Sequence, residues 1–506
     1  MVDSTGPPPN ILVVLFDCLR AQDFPGGSDE VSGMPFARRV MNESLVFPRT
    51  VSPAPWTIPS HASLFTGLYP WENNVHAYKS LMADPAIPRL PSLLHARGYR
   101  TLSLAANPFV SPRFDLVRGF DKSEWGGWWE PFLRTPRDEA PNTLEGEAPT
   151  TAQPQDRTME WIRDGPLGNV LRSASQHSYR YPFALDGGSR LLNRLRYPET
   201  PRDISQTPWI ESELATWLGR QSNESPVFCF LNLTDTHEPY YPDPELVHGA
   251  RNWWRLTKVR QDHACAVSGE WDPSSFECHQ LRELYRMMVR HLDVRLKAIV
   301  QAFRDAGRWD NTLLVVTSDH GQSLGEKGMM FHLLRLDEPL IRIPLWVRPV
   351  GGTGGGRQAV GWTSLIDVAP TLLEVAGVPF DPYPSALPLR GMIDAPRPGP
   401  VFSMSDGIVW PHIRRRFPAD REKKWDRPFV AAYLEDYKII TCAVDDETHA
   451  FNLSQDPSEA KDLWPSKEEA LVSLLADARQ VGSRLLGGDI HTEAIVEERL
   501  RSWGYI

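Results

Sequence analysis

The stretch Leu313-Leu314-Val315-Val316-Thr317-Ser318-Asp319-His320-Gly321 joins an apolar run to an acid and an imidazole. Such a run predicts a buried strand that delivers Asp319 and His320 at its carboxyl end. A second apolar run, residues 11–16, leads directly into Asp17. Ligands bind at the carboxyl ends of strands in open parallel sheets, and carboxylate and imidazole together suit a divalent cation. The two runs therefore predict an α/β fold with a metal site, although an aspartate that caps a helix would explain either run alone.

Between the two runs lies Trp56-Thr57-Ile58-Pro59-Ser60-His61, which continues to Thr66-Gly67. This segment resembles the signature of the sulfatase branch of the alkaline phosphatase superfamily, in which Cys or Ser precedes Pro, Ser and Arg, and a hydroxyl residue and Gly follow. The resemblance extends in ordered blocks over most of the chain. The other blocks are residues 16–17, 234–240, 318–321, 324–345, 367–373 and 452–457.

The resemblance implies a three-layer α/β sandwich with a mainly parallel central sheet and a small C-terminal α+β subdomain. We expect the catalytic domain at residues 8–384 and the subdomain at residues 385–506. Residues 122–205 are rich in Trp, Pro, Arg and acids and lack alternating apolar positions. We interpret them as an insertion that caps the substrate site.

Two departures from the signature concern the chemistry. Thr57 stands where sulfatases carry the Cys or Ser that is oxidised to an aldehyde, and its β-methyl group prevents that oxidation. His61 replaces the arginine of the motif. Relatives with an unmodified Thr are phosphodiesterases, phosphonate-processing enzymes and headgroup transferases, so the resemblance implies that Thr57 attacks phosphorus after a metal has lowered its pKa. For Thr57 alone, a helix N-cap is the alternative interpretation.

The resemblance implies that one divalent metal is bound by Asp17, Thr57, Asp319 and His320. This mixed oxygen and nitrogen set favours Mn or Zn, whereas Mg and Ca suit it less well. Cys18 replaces a second metal-binding Asp of sulfatases, and we interpret it as a small buried hydrophobe.

Three histidines are candidates for binding the transferred group or protonating the leaving oxygen, because imidazole titrates near neutral pH. They are His61, His237 and His332. His237 and His332 have an alternative role, in which they bind a second metal together with Asp235, as in two-metal phosphodiesterases. We expect further substrate contacts from Asn107, Asp235 and Lys79.

Composition and charge limit the kinds of molecule that we expect this chain to bind. The chain has 506 residues, 41% of them hydrophobic, and a net charge of −10. An acidic chain of this kind is a poor candidate for a nucleic-acid partner. No apolar run reaches the length of a membrane span or of a signal-peptide core. We therefore expect a cytoplasmic protein that acts on a small anionic ester, with no membrane partner and with its oligomeric state open.

These observations predict a metal-dependent hydrolase or transferase of phosphoesters or phosphonoesters. One alternative is an unusual sulfuryl-ester hydrolase, or a tailoring enzyme that transfers sulfuryl or phosphoryl groups between small molecules. The other is an inactive, metal-binding member of the superfamily.

Overall fold

The computed structural model describes residues 8–76, 84–126, 208–240, 242, 259–379, 384–407, 418 and 426–486. The strands, in chain order, are β1 (Asn10–Phe16), β2 (Leu45–Val46), β3 (Thr50–Val51), β4 (Arg100–Ala105), β5 (Lys122–Trp125), β6 (Val227–Leu233), β7 (Thr312–Thr317), β8 (Ser323–Leu324), β9 (Met330–Phe331), β10 (Arg342–Ile343), β11 (Leu345–Arg348), β12 (Thr363–Ser364), β13 (Val401–Ser405), β14 (Phe429–Leu434), β15 (Tyr437–Cys442) and β16 (Thr448–Asn452).

The α-helices are α1 (Pro35–Asn42), α2 (Thr57–Thr66), α3 (Pro70–Asn73), α4 (Leu90–Ala96), α5 (Pro208–Leu218), α6 (His263–Ser268), α7 (Ser275–Asp305), α8 (Glu338–Ile341), α9 (Val368–Val375) and α10 (Glu469–Leu486). Short 3-10 helices lie at Ala21–Asp23, Pro112–Phe114, Trp309–Asn311, Glu326–Gly328, Val350–Gly352, Leu365–Asp367 and Leu389–Met392. In the part of the chain that the structure describes, no helix is both long and apolar enough to cross a lipid bilayer.

The central sheet has the strand order β2-β11-β7-β1-β6-β4-β5. The five strands from β7 to β5 run parallel to one another, and β11 runs antiparallel to both β7 and β2. All seven residues of the central strand β1 are buried. The mainly parallel sheet predicted from the sequence is confirmed.

The two faces of this sheet carry separate cores, as alternation along β1 shows. Leu12, Val14 and Phe16 pack into one core, which includes buried residues of α1, α5 and α7. Ile11, Val13 and Leu15 pack into the other, with residues of α2, α4 and α9. Because both faces are covered by helices, every side chain of β1 is apolar except that of Asn10 at its start.

The predicted insertion begins later than residue 122. Lys122–Trp125 form β5, the edge strand that runs parallel to β4. An edge strand has only one neighbour, so Lys122, Ser123 and Glu124 remain half-buried and the apolar pattern is weak. Residues 127–207, which make up most of the predicted cap, lie outside the described residues.

A second, four-stranded antiparallel sheet is formed by β13 to β16, and α10 packs against β14 and β15. Lys438 of β15 is fully buried and contacts the carboxylates of Glu338 and Glu459. Glu338 begins α8, whose Leu340 accepts a 2.6 Å hydrogen bond from the Gly321 backbone N–H. The C-terminal sheet is therefore tied to the loop that follows β7, while the domain boundary at residue 384 stays a prediction.

The packing of β6 can be tested with Leu231→Ala, because Leu231 is fully buried in the core that contacts α7. We expect the free energy of unfolding, measured by chemical denaturation, to fall by about 2 to 5 kcal/mol. Val294→Ala on α7 is the control, since Val294 is 51% exposed and its truncation should change stability by less than about 0.5 kcal/mol. Equal losses in the two variants would contradict the assigned core.

Candidate active site

The polar side chains of the site follow four neighbouring parallel strands, β7, β1, β6 and β4. Asp319 lies beyond β7, Asp17 directly follows β1, His237 lies in the loop after β6, and Asn107 lies beyond β4. Backbone hydrogen bonds continue past the strand ends, from the Asp17 N–H to the Leu233 carbonyl at 2.8 Å and from Ala106 to Asn232 at 2.9 Å. Because the strands are parallel, their carboxyl ends meet at one edge of the sheet, where a ligand is expected.

Thr57 is the first residue of α2, and Trp56 in the extended conformation occupies the N-cap position without a side-chain cap. The interpretation of Thr57 as an N-cap is therefore wrong. Its hydroxyl instead accepts a 3.3 Å hydrogen bond from Asn107 Nδ2, and the same amide nitrogen donates to Asp17 Oδ2 at 2.7 Å. Asn107 thus holds the hydroxyl beside the Asp17 carboxylate. Its Oδ1 also accepts from the Phe109 N–H at 2.9 Å, as in an Asx turn.

His320 lies between the carboxylates of Asp17 and Asp319. His320 Nδ1 lies 2.9 Å from the Gly321 carbonyl, to which it donates, so Nε2 is the unprotonated nitrogen of the neutral ring. Nε2 lies 3.4 Å from Asp319 Oδ2 and 3.8 Å from Asp17 Oδ1. Among the described residues, neither His320 Nε2 nor Asp319 Oδ2 has a hydrogen-bond partner although both are buried.

The two buried carboxylates repel each other unless one of them binds a proton or a cation lies between them. Burial, with the nearby Asp17 carboxylate, raises the pKa of Asp319 well above its ordinary value. Burial also acts to raise the pKa of Asp17, but His237, His320 and the Asn107 amide outweigh it and lower that pKa. Burial lowers the pKa of His320, which favours the neutral form that binds metals. The buried carboxylates of Asp17 and Asp319 and the imidazole of His320 are ligand types that fit a divalent cation.

His61 supports the helix turn rather than supplying a positive charge. Its Nδ1 lies 2.9 Å from the Thr57 carbonyl, and its Nε2 lies 3.4 Å from the amide nitrogen of Asn232. These partners fit a neutral ring that donates from Nδ1 and accepts at Nε2. Burial lowers the pKa of His61 to about 4, so the ring is uncharged at neutral pH and does not replace the charge of an arginine.

The wall next to this metal pocket contains His237 and His332, as the sequence predicted, and Glu238 between them. Glu238 Oε2 lies 3.6 Å from His237 Nδ1 and 3.9 Å from His332 Nδ1. Burial acts to lower the pKa of His237, but Glu238 and Asp17 outweigh it and raise that pKa. Burial drives the pKa of His332 well below its usual range. The pKa values of the two imidazoles are therefore shifted in opposite directions.

Glu238, Gln322 and His263 belong to this wall although sequence reasoning assigned them no role. Gln322 Nε2 donates to Glu238 Oε2 at 2.6 Å, and His263 Nδ1 contacts Glu238 Oε1. Glu238 could have been noticed because it directly follows His237 in a block that resembles the family. His263 carries no such signal, since it reaches the site through α6, which packs against β9.

Asp235 does not join His237 and His332. Its Oδ1 lies 3.2 Å from Arg295 Nε and 3.6 Å from His291 Nδ1, both on α7. The predicted second metal at Asp235, His237 and His332 and the predicted substrate contact at Asp235 are therefore replaced by an ion pair with a core helix. Lys79, the other predicted contact, lies outside the described residues.

A hydroxyl at a helix N-terminus, beside carboxylates and an imidazole at the edge of a parallel sheet, is the arrangement that the resemblance to the sulfatase branch implied. The chain belongs to the Sulfatase family, whose family model matches residues 9–378. It is 23% identical to the choline-sulfatase of Rhizobium meliloti (strain 1021) in an alignment that covers 98% of this chain and 90% of that protein.

Two solved structures share the fold. One is a protein in complex with its substrate D-glucosamine-2-N,6-O-disulfate, with a TM-score of 0.64, 16% identity and coverage of 96% of this chain and 100% of the other. The second is the phosphonate monoester hydrolase of Agrobacterium radiobacter, with a TM-score of 0.62, 19% identity and coverage of 94% and 95%. These similarities establish the fold that positions the site.

Mn²⁺ should stabilise the metal-depleted protein through Asp319, because a bound cation relieves the repulsion between two buried carboxylates. At a Mn²⁺ concentration 100-fold above the Kd, we expect a gain of about 2.7 kcal/mol, measured as a rise in the unfolding midpoint. Asp319→Asn should remove this gain. Asp235→Asn is the matched control, since it breaks an ion pair with Arg295 and should lower stability but keep the Mn²⁺-dependent rise. Loss of the rise in Asp235→Asn alone would contradict the assignment.

Proposed function

We propose that the protein is a metal-dependent hydrolase or transferase that acts on phosphoester or phosphonoester groups and uses Thr57 as its nucleophile. The observation that carries the proposal is the hydroxyl of Thr57 at the start of α2, linked through the Asn107 amide to the Asp17 carboxylate. Asp17, Asp319 and His320, with Thr57 itself, would hold one divalent ion. When bound, the ion lowers the pKa of the hydroxyl and polarises the group under attack.

The side chains position the nucleophile in three ways. Asn107 donates to Thr57 Oγ1 and to Asp17 Oδ2, which fixes the hydroxyl beside the carboxylate. His61 holds the Thr57 carbonyl from the next helical turn. The N-terminus of α2, a helix of ten residues, presents backbone N–H groups that favour an anionic phosphoryl group. Attack in line by Thr57 then forms a phosphothreonine-type intermediate, and water or an acceptor alcohol resolves it.

The oxygen that leaves phosphorus carries negative charge that must be neutralised. His237 and His332 lie on this side of the site, with their rings 5.2 Å apart. They can neutralise the oxygen with a proton or with a bound cation. His237 is the more accessible of the two, with its side chain 24% exposed against 6% for His332.

Sulfuryl-ester hydrolysis is the second candidate, favoured by the similarity to a choline-sulfatase over nearly the whole chain. Sulfuryl and phosphoryl centres share their geometry, so the same pocket could receive either group. Thr57 argues for phosphorus because a threonine cannot form the aldehyde that sulfatases use, and the neutral His61 supplies no charge at the position of the motif arginine.

The nucleophile can be tested with matched p-nitrophenyl phosphate, phosphodiester, phosphonate and sulfate esters and metal-reconstituted enzyme. Thr57→Ala should lower kcat/KM for the preferred phosphorus ester by at least about 10³-fold, since it removes the attacking atom. Thr57→Ser keeps the hydroxyl and should retain measurable turnover. Intact-mass analysis of rapidly quenched wild-type enzyme should show a phosphoryl adduct on Thr57.

Two results would argue against this proposal. Turnover of the sulfate ester alone would favour the second candidate. Phosphorus-ester turnover that survives in Thr57→Ala would exclude Thr57 as the nucleophile. The fold and the metal site do not depend on that result.

A further inference from the structure

Cys18 lies between the first metal pocket and the wall that holds His237 and His332. Its Sγ lies 3.7 Å from His332 Nδ1 and donates to Asp17 Oδ1 at 3.3 Å. The ligand atoms of Cys18, His237, Glu238 and His332 all lie within 4.8 Å of one another. We call these four residues the Cys18 group.

We propose that the Cys18 group binds a second metal ion of the zinc type, separate from the ion held by Asp17, Asp319 and His320. A thiolate, two imidazoles and a carboxylate are the ligands that Zn²⁺ accepts, and four ligands of this kind form a tetrahedral site. Ligand atoms bound at about 2.0 to 2.3 Å lie roughly 3.3 to 3.7 Å apart in such a tetrahedron. The separations of 3.6 Å, 3.7 Å and 3.9 Å between neighbouring atoms of the group are close to these edges.

The backbone around two of the ligands is held in an unfavourable conformation. Cys18 has a φ angle of +62°, and Phe331 and Leu333, on either side of His332, have φ angles of +66° and +127°. Non-glycine residues rarely adopt these angles, and such residues cluster at functional sites. The Cys18 conformation is fixed on both sides, because its N–H donates to Asp319 Oδ1 at 3.3 Å and its carbonyl accepts from the Tyr285 hydroxyl at 2.9 Å. These bonds keep the sulfur directed into the group.

Partners outside the group orient Glu238 as they would orient a ligand. His263 contacts Glu238 Oε1, and Gln322 Nε2, which also contacts the Tyr240 hydroxyl at 2.8 Å, donates to Glu238 Oε2. Polar contacts of this type fix the carboxylates and imidazoles of metal sites. Ligation through His332 Nδ1 would displace its 2.9 Å hydrogen bond to Gln322 Oε1, and ligation through His237 Nδ1 would displace its 2.5 Å contact with the Glu238 carbonyl. Each ring would then carry its proton on Nε2.

Such an ion would change the role of the two histidines. In the proposed reaction the two histidines neutralise the negative charge of the leaving oxygen. With the second ion bound to them, the positive charge of the ion would do this in place of a proton. The inference deepens the proposed function in this respect, but metal binding by the Cys18 group is measured without substrate. A failure of Thr57 as the nucleophile would therefore leave the metal measurement unaffected.

The test uses the full-length chain, stripped of metal with a chelator and titrated with Co²⁺. We expect two Co²⁺ ions per chain and a near-ultraviolet charge-transfer band that reports a thiolate–cobalt bond. Cys18→Ser should lose the band and one of the two ions. Cys278→Ser is the matched control because Cys278 is a half-buried cysteine on α7, 3.9 Å from Met330 Sδ, and it should keep both.

Two further variants separate the sites. Asp319→Asn should lose one ion and keep the band, which assigns the thiolate to the second site. His332→Ala removes a ligand and should lower the affinity for the ion that produces the band by at least about 100-fold, since the loss of an outer-shell partner alone costs 10- to 100-fold in affinity. Circular dichroism establishes that each variant is folded. One Co²⁺ per wild-type chain, a band that persists in Cys18→Ser, or a band that disappears in a folded Asp319→Asn would each overturn the proposal.

Discussion

Two buried carboxylates at neighbouring strand ends impose the main constraint on this structure. Asp17 and Asp319 flank His320 Nε2, and both carboxylates are fully buried. Two like charges in a region of low dielectric are unstable together unless one group binds a proton or a cation compensates them. Much of the surrounding chain holds this arrangement together, including Ser318 Oγ, which accepts from the Leu19 N–H at 3.0 Å, and Thr236 Oγ1, which donates to the Asp17 carbonyl at 2.6 Å. The fold thus places two carboxylates that repel each other where a bound cation can offset the repulsion.

The predicted site residues that the structure brings together are those encoded locally. Asp17, Asp319 and His320 follow apolar runs, and runs that become adjacent parallel strands deliver their next residues to one edge. Thr57 was recognised from a motif whose residues occupy consecutive positions of one helix. In each case, a short segment contains both the structural signal and the chemical group. The parallel sheet and the antiparallel C-terminal sheet were predictable for the same reason, because they depend on strand patterns and on the family resemblance.

The contacts that the sequence did not reveal concern residues whose partners are distant in the sequence. Asp235 lies two residues before His237, and nothing local reveals that Arg295, 60 residues further on, takes its carboxylate. The role of Glu238 depends on His263 and Gln322, which come from different elements. Cys18 is a small apolar side chain by composition, and only the left-handed turn after β1 brings its sulfur to His332. Side-chain direction in loops is set by tertiary packing, and the spacing of apolar residues in the sequence does not reveal it.

The buried Lys438 junction has a consequence for how this chain can be recombined. Its ammonium group lies between Glu338 of the catalytic side and Glu459 of the C-terminal side, with no exposure to solvent. An exchange of the C-terminal segment with that of a relative would separate these partners unless both came from one parent. A buried charge left without its partner costs about 3 to 5 kcal/mol, a large share of the stability of an ordinary domain. A crossover near residue 384 separates α8 from β15, so we expect it to preserve stability only when the two parents carry the same Glu and Lys at positions 338 and 438.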